Sequence, residues 1–154
     1  MSYNYLPLDK NHLSFQQVKY LLQYKQQISI TFEAYDNIEK CRKYLDAKVS
    51  DNDALYYGIN TGFGYLQNIK INNNQIEQLQ YNLLKSHACG LGEEVPHEIV
   101  KLMLAFKVKS LSYGYSGVQN ETVQRLMDMH NNDVIPVVYT QGSLGASGDL
   151  APLS

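Results

Sequence analysis

The chain has 154 residues, a formal charge of −2, 44% hydrophobic and 18% charged side chains, which suits one globular domain with a real core and, lacking a basic stripe, argues against a nucleic-acid partner. No run approaches the ~20 apolar residues of a membrane helix, and Met1–Tyr5 has no basic start leading into an apolar stretch, so a signal peptide and a membrane partner are not expected. Cys41 and Cys89 have neither metal nor redox spacing, and a cytoplasmic protein with free thiols is the expectation.

Ser14 to Gln17 reads as a capping box opening a helix, with Phe15, Val18, Leu21 and Leu22 on one face. A second helix carries Ala34, Ile38, Cys41 and Leu45 on one stripe, and Ser50-Asp51-Asn52-Asp53 is a polar connection. Tyr56 to Gly64 fits neither helix nor strand period, and its three glycines predict a loop with unusual backbone angles. Asn74 is expected to cap a helix that turns Ile76, Leu79, Leu83 and Leu84 inward, returns His87 to nearly the same face and stops near Gly90 and Gly92.

Pro96 suits the first turn of the next helix, whose wide apolar arc from Ile99 to Leu111 predicts burial on several sides, and Gly114 ends it. Another helix runs from about Thr122 to Met129, with Glu121 and Arg125 at helical pairing distance. Val134 to Val138 is a short extended piece that Pro136 confines to an edge or connector. Asp149 is placed to cap a helix whose first turn holds Pro152. There is no internal repeat, and the architecture is mainly α. His12, His97 and His130 are scattered, are expected at the surface and give no metal site.

The glycine-rich end, Gln141 to Ser154, admits three readings from its residues alone. It is a flexible loop, a phosphate cradle without the lysine of a P-loop, or a nucleophile elbow at Ser147 that fails the G-x-S-x-G pattern. The string Gly142-Ser143-Leu144-Gly145-Ala146-Ser147-Gly148-Asp149-Leu150-Ala151-Pro152-Leu153 closely resembles the signature of the aromatic amino acid ammonia-lyases. In that family Ala-Ser-Gly cyclises without a helper enzyme. Carried over, the nitrogen of Gly148 attacks the carbonyl carbon of Ala146, two waters leave, and Ser147 becomes the exocyclic methylene of a 4-methylidene-imidazol-5-one (MIO). The resemblance thus implies an internal electrophile and no external cofactor. Small residues allow the sharp backbone fold, and ring closure withdraws the amide lone pair from resonance, making the alkene electron-poor.

Two further strings carry the same resemblance. Tyr57-Gly58-Ile59-Asn60-Thr61-Gly62-Phe63-Gly64 is similar to the family segment whose tyrosine removes the substrate β-proton, which implies that role for Tyr57. A free tyrosine has a pKa near 10, so ionising it at pH 7 costs about 4 kcal/mol that a nearby cation or preorganised donors must offset. Ser86-His87 falls where the family carries a pair facing the substrate ring, and histidine-acting members carry Ser-His. On periodicity alone His87 is a core histidine on an apolar face; the resemblance makes Ser86 and His87 substrate-binding, since a neutral imidazole offers one donor and one acceptor to another imidazole. Tyr113 and Gln119 depart from the family, which often has Arg or Gln at the first place and Arg at the second.

The resemblance implies the N-terminal, MIO-bearing domain, residues 1–154, of the fumarase/aspartase-like helical fold, with a central helical bundle and C-terminal region outside this sequence. The expected reaction is non-oxidative deamination of L-histidine to trans-urocanate and ammonia by a homotetramer. In it the electrophile takes either the amino group or the ring. The alternatives are a phenylalanine or tyrosine substrate, or a piece with no catalysis of its own that associates through its apolar Ile99–Leu111 helix.

Overall fold

The computed structural model describes residues 5–24, 26–50, 54–143 and 150–154. The chain divides into two compact units, Met1–Asp46 with Val95–Val137 and Ala47–Glu94 with Val138–Ser154. The mainly α expectation holds, with five α-helices among the described residues.

The first unit is built on one apolar core. Two four-residue strands, β1 (Tyr5–Leu8) and β2 (Gln27–Ile30), pair in parallel with Leu6 beside Ile28 and Leu8 beside Ile30. These strands were not expected from the sequence, because four residues are too few to display a period. The crossover between them is α1 (Phe15–Gln23), which starts at the expected capping box: Gln17 N donates to Ser14 Oγ at 3.3 Å and Ser14 N to Gln17 Oε1 at 2.9 Å. Only Leu21 of its expected apolar face is buried; Phe15 and Leu22 are exposed. Helix α2 (Phe32–Ser50) buries Ala34 and Ile38 and carries the ion pairs Asp36–Lys40, Glu39–Lys43 and Arg42–Asp46.

Helix α4 (His97–Leu111) buries Val100, Leu104, Ala105, Val108 and Leu111. Helix α5 (Asn120–Asn131) starts two residues earlier than expected and buries Val123, Met127 and His130. Each such aliphatic side chain contributes about 1.5–3 kcal/mol on leaving water. Gly114 ends α4 at φ 73°, and a Cβ there would lie 2.8 Å from the backbone of Asn37, so only glycine fits both the angle and the space. The Glu121–Arg125 pair expected on α5 is absent from the ion pairs of the described residues.

Two side chains at the end of α5 complete this unit. The Asn131 amide accepts from Ile28 N and donates to Ile28 O, both at 2.8 Å, and so satisfies that residue of β2 as a neighbouring strand would. His130 is 1% exposed, correcting its expected surface position: it lies on the face of α5 that carries Val123 and Met127 into the core. The helix closes with Val134 N donating to Met129 O at 2.9 Å, while Asp133 takes the left-handed angle φ 58° and ion-pairs with Lys101 at 2.6 Å.

The second unit contains 3-10 turns at Gly64–Leu66, Asn73–Gln75 and Ala151–Leu153, helix α3 (Ile76–His87), and the antiparallel pair β3 (Leu91–Glu94) and β4 (Tyr139–Gln141). Asn74 does not cap α3: it lies inside the preceding 3-10 turn, and Gln75 takes the cap position without a side-chain bond. The extended piece expected at Val134–Val138 becomes a strand only after it, at Tyr139. Strand β3 was not expected, since Leu-Gly-Glu-Glu alternates in neither hydrophobicity nor burial.

Candidate active site

All the candidate site residues belong to the second unit. Ala146, Ser147 and Gly148 lie outside the described residues, as does Asp149. The chain enters that segment from β4, which is paired with β3, and leaves it into the Ala151–Leu153 turn, where Ser154 N donates to Ala151 O at 3.2 Å.

The tyrosine loop is organised by polar atoms. Asn60 is 4% exposed and Thr61 0%, and together they tie the loop to itself. Asn60 Oδ1 accepts from Tyr56 N at 2.7 Å, and its Nδ2 donates to Ala54 O at 2.9 Å. Its backbone oxygen accepts from Ile71 N at 2.9 Å, and Gly62 N donates to Ile69 O at 3.1 Å. Thr61 Oγ1 accepts from Gly58 N at 3.3 Å and donates to Gly62 O at 2.9 Å. Asn60 Oδ1, Asn60 Nδ2 and Thr61 Oγ1 thus each have a hydrogen-bond partner, as burial requires. The left-handed angles at Gly58 (φ 74°) and Gly64 (φ 54°) meet the expectation of an irregular loop. At Gly62 a Cβ would sit 2.7 Å from Leu66 Cβ and 2.8 Å from Leu66 O, so the 3-10 turn packs directly on bare backbone.

This scaffold presents Tyr57 outward. The residue is 62% exposed, and its ring meets Phe63 edge-on, with centroids 5.9 Å apart at 73°. Gly64 N donates to Tyr57 Oη at 3.3 Å, so a backbone donor faces the phenol oxygen.

Phe63, on the far side of that ring contact, helps line a cleft of about 380 Å³ together with Leu66, Ile71, Leu79, Ser86 and His87. The structure therefore brings the expected ring-recognition pair to the tyrosine loop through Phe63; Tyr57 is outside the lining of this cleft. Helix α3 delivers Ser86 and His87 at its last turn. Ser86 Oγ donates to Leu83 O at 2.8 Å, and His87 Nδ1 lies 2.8 Å from the same oxygen and 3.0 Å from Ser86 Oγ. Among the described residues there is no group of three or more His, Cys, Asp or Glu able to hold a metal ion.

Asn60 and Thr61 organise the loop although neither stands out in the sequence as a site residue. Two small polar residues flanked by glycines were the available signal, because an irregular loop needs internal hydrogen-bond partners.

A protein-family model described as aromatic amino acid lyase matches residues 13–154. The chain belongs to that family. The histidine ammonia-lyase of Deinococcus radiodurans is 42% identical over 147 residues, covering 96% of this chain and 28% of that protein. The histidine ammonia-lyase of Staphylococcus aureus is 40% identical over 149 residues, 97% of this chain and 29% of that protein. Among solved structures, histidine ammonia-lyase from Trypanosoma cruzi matches with a TM-score of 0.81 at 36% identity, over 97% of this chain and 28% of that one. Ergothionase from Treponema denticola, an ergothioneine-degrading enzyme, matches with a TM-score of 0.89 at 25% identity, over 97% of this chain and 30% of that one. The chain thus spans about 28% of the length of the curated relatives it matches.

Proposed function

We propose that this chain carries the proton-abstracting base, the ring-recognition pair and the electrophile precursor of a histidine ammonia-lyase, acting on L-histidine to give trans-urocanate and ammonia. The observation that carries this reading is the single cleft lined by both Ser86-His87 and Phe63 of the tyrosine loop. Relatives that act on histidine, at about 40% identity, support histidine as the amino acid.

In this reading Tyr57 Oη removes a proton from the substrate β-carbon. The freed electron pair forms the Cα–Cβ double bond, and the Cα–N bond breaks to release ammonia. The exposed position of Tyr57 leaves its oxygen open to a substrate, and the Gly64 N–H donates to that oxygen, an arrangement that favours negative charge there. Phe63 braces the phenol ring edge-on. His87 holds the imidazole of the substrate.

The residues of the segment Ala146-Ser147-Gly148 fit the MIO group chemically: a glycine nitrogen to attack, an alanine carbonyl carbon to receive it, and a serine hydroxyl to lose. Once formed, that group supplies an electron-poor alkene that makes the amine a better leaving group. A homotetramer and a cytoplasmic setting belong to the same proposal. The apolar side chains that the second unit leaves in the open, Tyr65, Leu66 and Ile69 among them, are consistent with cover by further polypeptide.

The test is a chimera in which this chain replaces the matching 147-residue segment of the Deinococcus radiodurans histidine ammonia-lyase. Urocanate absorbance is expected on adding L-histidine, with a mass deficit of two waters in the intact protein. Tyr57→Phe in the chimera should lower kcat by about 10²–10⁴-fold. Undiminished turnover in Tyr57→Phe would remove Tyr57 as the base. The isolated 154-residue chain is expected to give no sustained turnover, and urocanate formation by it would end the inactive-piece reading.

A further inference from the structure

The hydrogen bonds at the end of α3 decide which way round the ring-recognition histidine works. His87 Nδ1 lies 2.8 Å from Leu83 O, and a carbonyl oxygen can only accept. Two lone pairs facing one another at that distance repel, so the proton of the neutral ring must sit on Nδ1. Ser86 Oγ adds a second constraint. Its hydroxyl donates to Leu83 O at 2.8 Å, which leaves an oxygen lone pair 3.0 Å from the same ring nitrogen, ready to accept from Nδ1–H. The alternative, a hydroxyl donating to a bare Nδ1, would put that bare nitrogen against the carbonyl.

We propose that Leu83 O and Ser86 Oγ hold His87 in its Nδ1–H tautomer, so that the cleft recognises a ring by an acceptor, His87 Nε2, and selects ligands that present an N–H or O–H donor. Ser86 is then a positioning residue that acts through His87. The proposal deepens the histidine reading above and rests on it for the identity of the substrate, but the tautomer itself does not depend on catalysis. A neutral substrate imidazole would be bound in the form whose protonated nitrogen points at His87. A ring with acceptors alone would leave Nε2 facing a lone pair and a desolvated partner unpaired.

Long-range proton–nitrogen NMR of the 154-residue chain, labelled at its histidine ring nitrogens, reads the tautomer directly. His87 Nε2 is expected to resonate as a bare, pyridine-type nitrogen; a protonated Nε2 would overturn the proposal. Titration with imidazole should move that resonance, and 1-methylimidazole, which has no N–H, should bind about tenfold more weakly. Equal affinity would show that the acceptor does no selecting. Ser86→Ala should speed solvent exchange of the Nδ1 proton severalfold while Ser86→Thr restores it, a pattern that a purely structural serine would not produce. Unchanged exchange in Ser86→Ala would leave the lock to Leu83 alone and overturn the role given to Ser86. A bare Nε2 in a chain whose chimera makes no urocanate would sink the lyase reading and leave the tautomer standing. The reverse result would do the opposite.

Discussion

The two units are held together by different forces. The first closes Leu6, Leu8, Leu21, Ile28, Ile38, Ala105, Val108, Leu111, Val123 and Met127 into one cluster. In the second, Val138 is the one buried apolar side chain among the described residues, and the interior of the tyrosine loop is Asn60 and Thr61. Apolar burial is non-directional and tolerates exchange of one aliphatic for another. A polar network fixes angles, because each donor must meet its acceptor, and a half-satisfied network is costly. The stabilising bulk therefore sits in one unit, and the residues that need defined directions sit in the other.

The largest expected effect lies in the apolar unit. Leu8, 1% exposed, pairs its strand with β2, and Leu8→Ala should cost about 2–5 kcal/mol, seen as a lower midpoint in urea. A loss no greater than that of an exposed substitution would show that the cluster is not the source of stability. Asn60→Ala comes next, at about 1–3 kcal/mol, because it strips the partners from Tyr56 N–H and Ala54 C=O. Its signature should be local: hydrogen exchange accelerates at the Tyr56 amide and stays slow at Ile28. If both amides accelerate together, the two units do not differ in the way drawn above.

The smallest effect concerns His130, the one titratable side chain among the described residues that the apolar unit buries deeply. Burial pushes the His130 imidazole below its ordinary value; the Asn131 hydrogen bond and Asp133 oppose this shift, and Lys101 reinforces it. The fold thus favours the neutral ring. Its contribution is intact above the unfolded value of about 6.5 and is lost as pH falls from there toward the lowered folded value. Thermal melts between about pH 7.5 and about pH 5.5 should show this loss, and His130→Gln should flatten it. Equal acid sensitivity in parent and variant would assign the loss elsewhere. Lys101 and Asp133, ion-paired at 2.6 Å, His97, 3.8 Å from Asp133, and Glu98 line a small cavity with His130 at that end of α4 and α5.

The parts that could be read in advance were local ones. The capping box at Ser14 needs only residues three apart, and it formed as written. Pro96 and Gly114 bracket α4 because proline suits a first turn and glycine a left-handed end. Asn74 misled because a 3-10 turn at Asn73–Gln75 took the place of the capped first turn. Strands β1 and β2 could not be read, since their partners are joined through α1 and each spans four residues. For the site, the tyrosine and Ser-His strings pointed to the residues of interest, while the use of the Ser86 hydroxyl on Leu83 O depends on how the last turn of α3 is built.

Sequence alone determined the helical class and, through its three strings, the family, since these follow from periods and from residue types carried by neighbours in the chain. Tertiary structure decided that Asn131 stands in for a strand beside Ile28, that His130 is buried, and that Asn60 and Thr61 become the interior of a loop. Those outcomes join groups far apart in the chain or depend on exclusion of water, and neither distance in space nor burial is written in the order of residues.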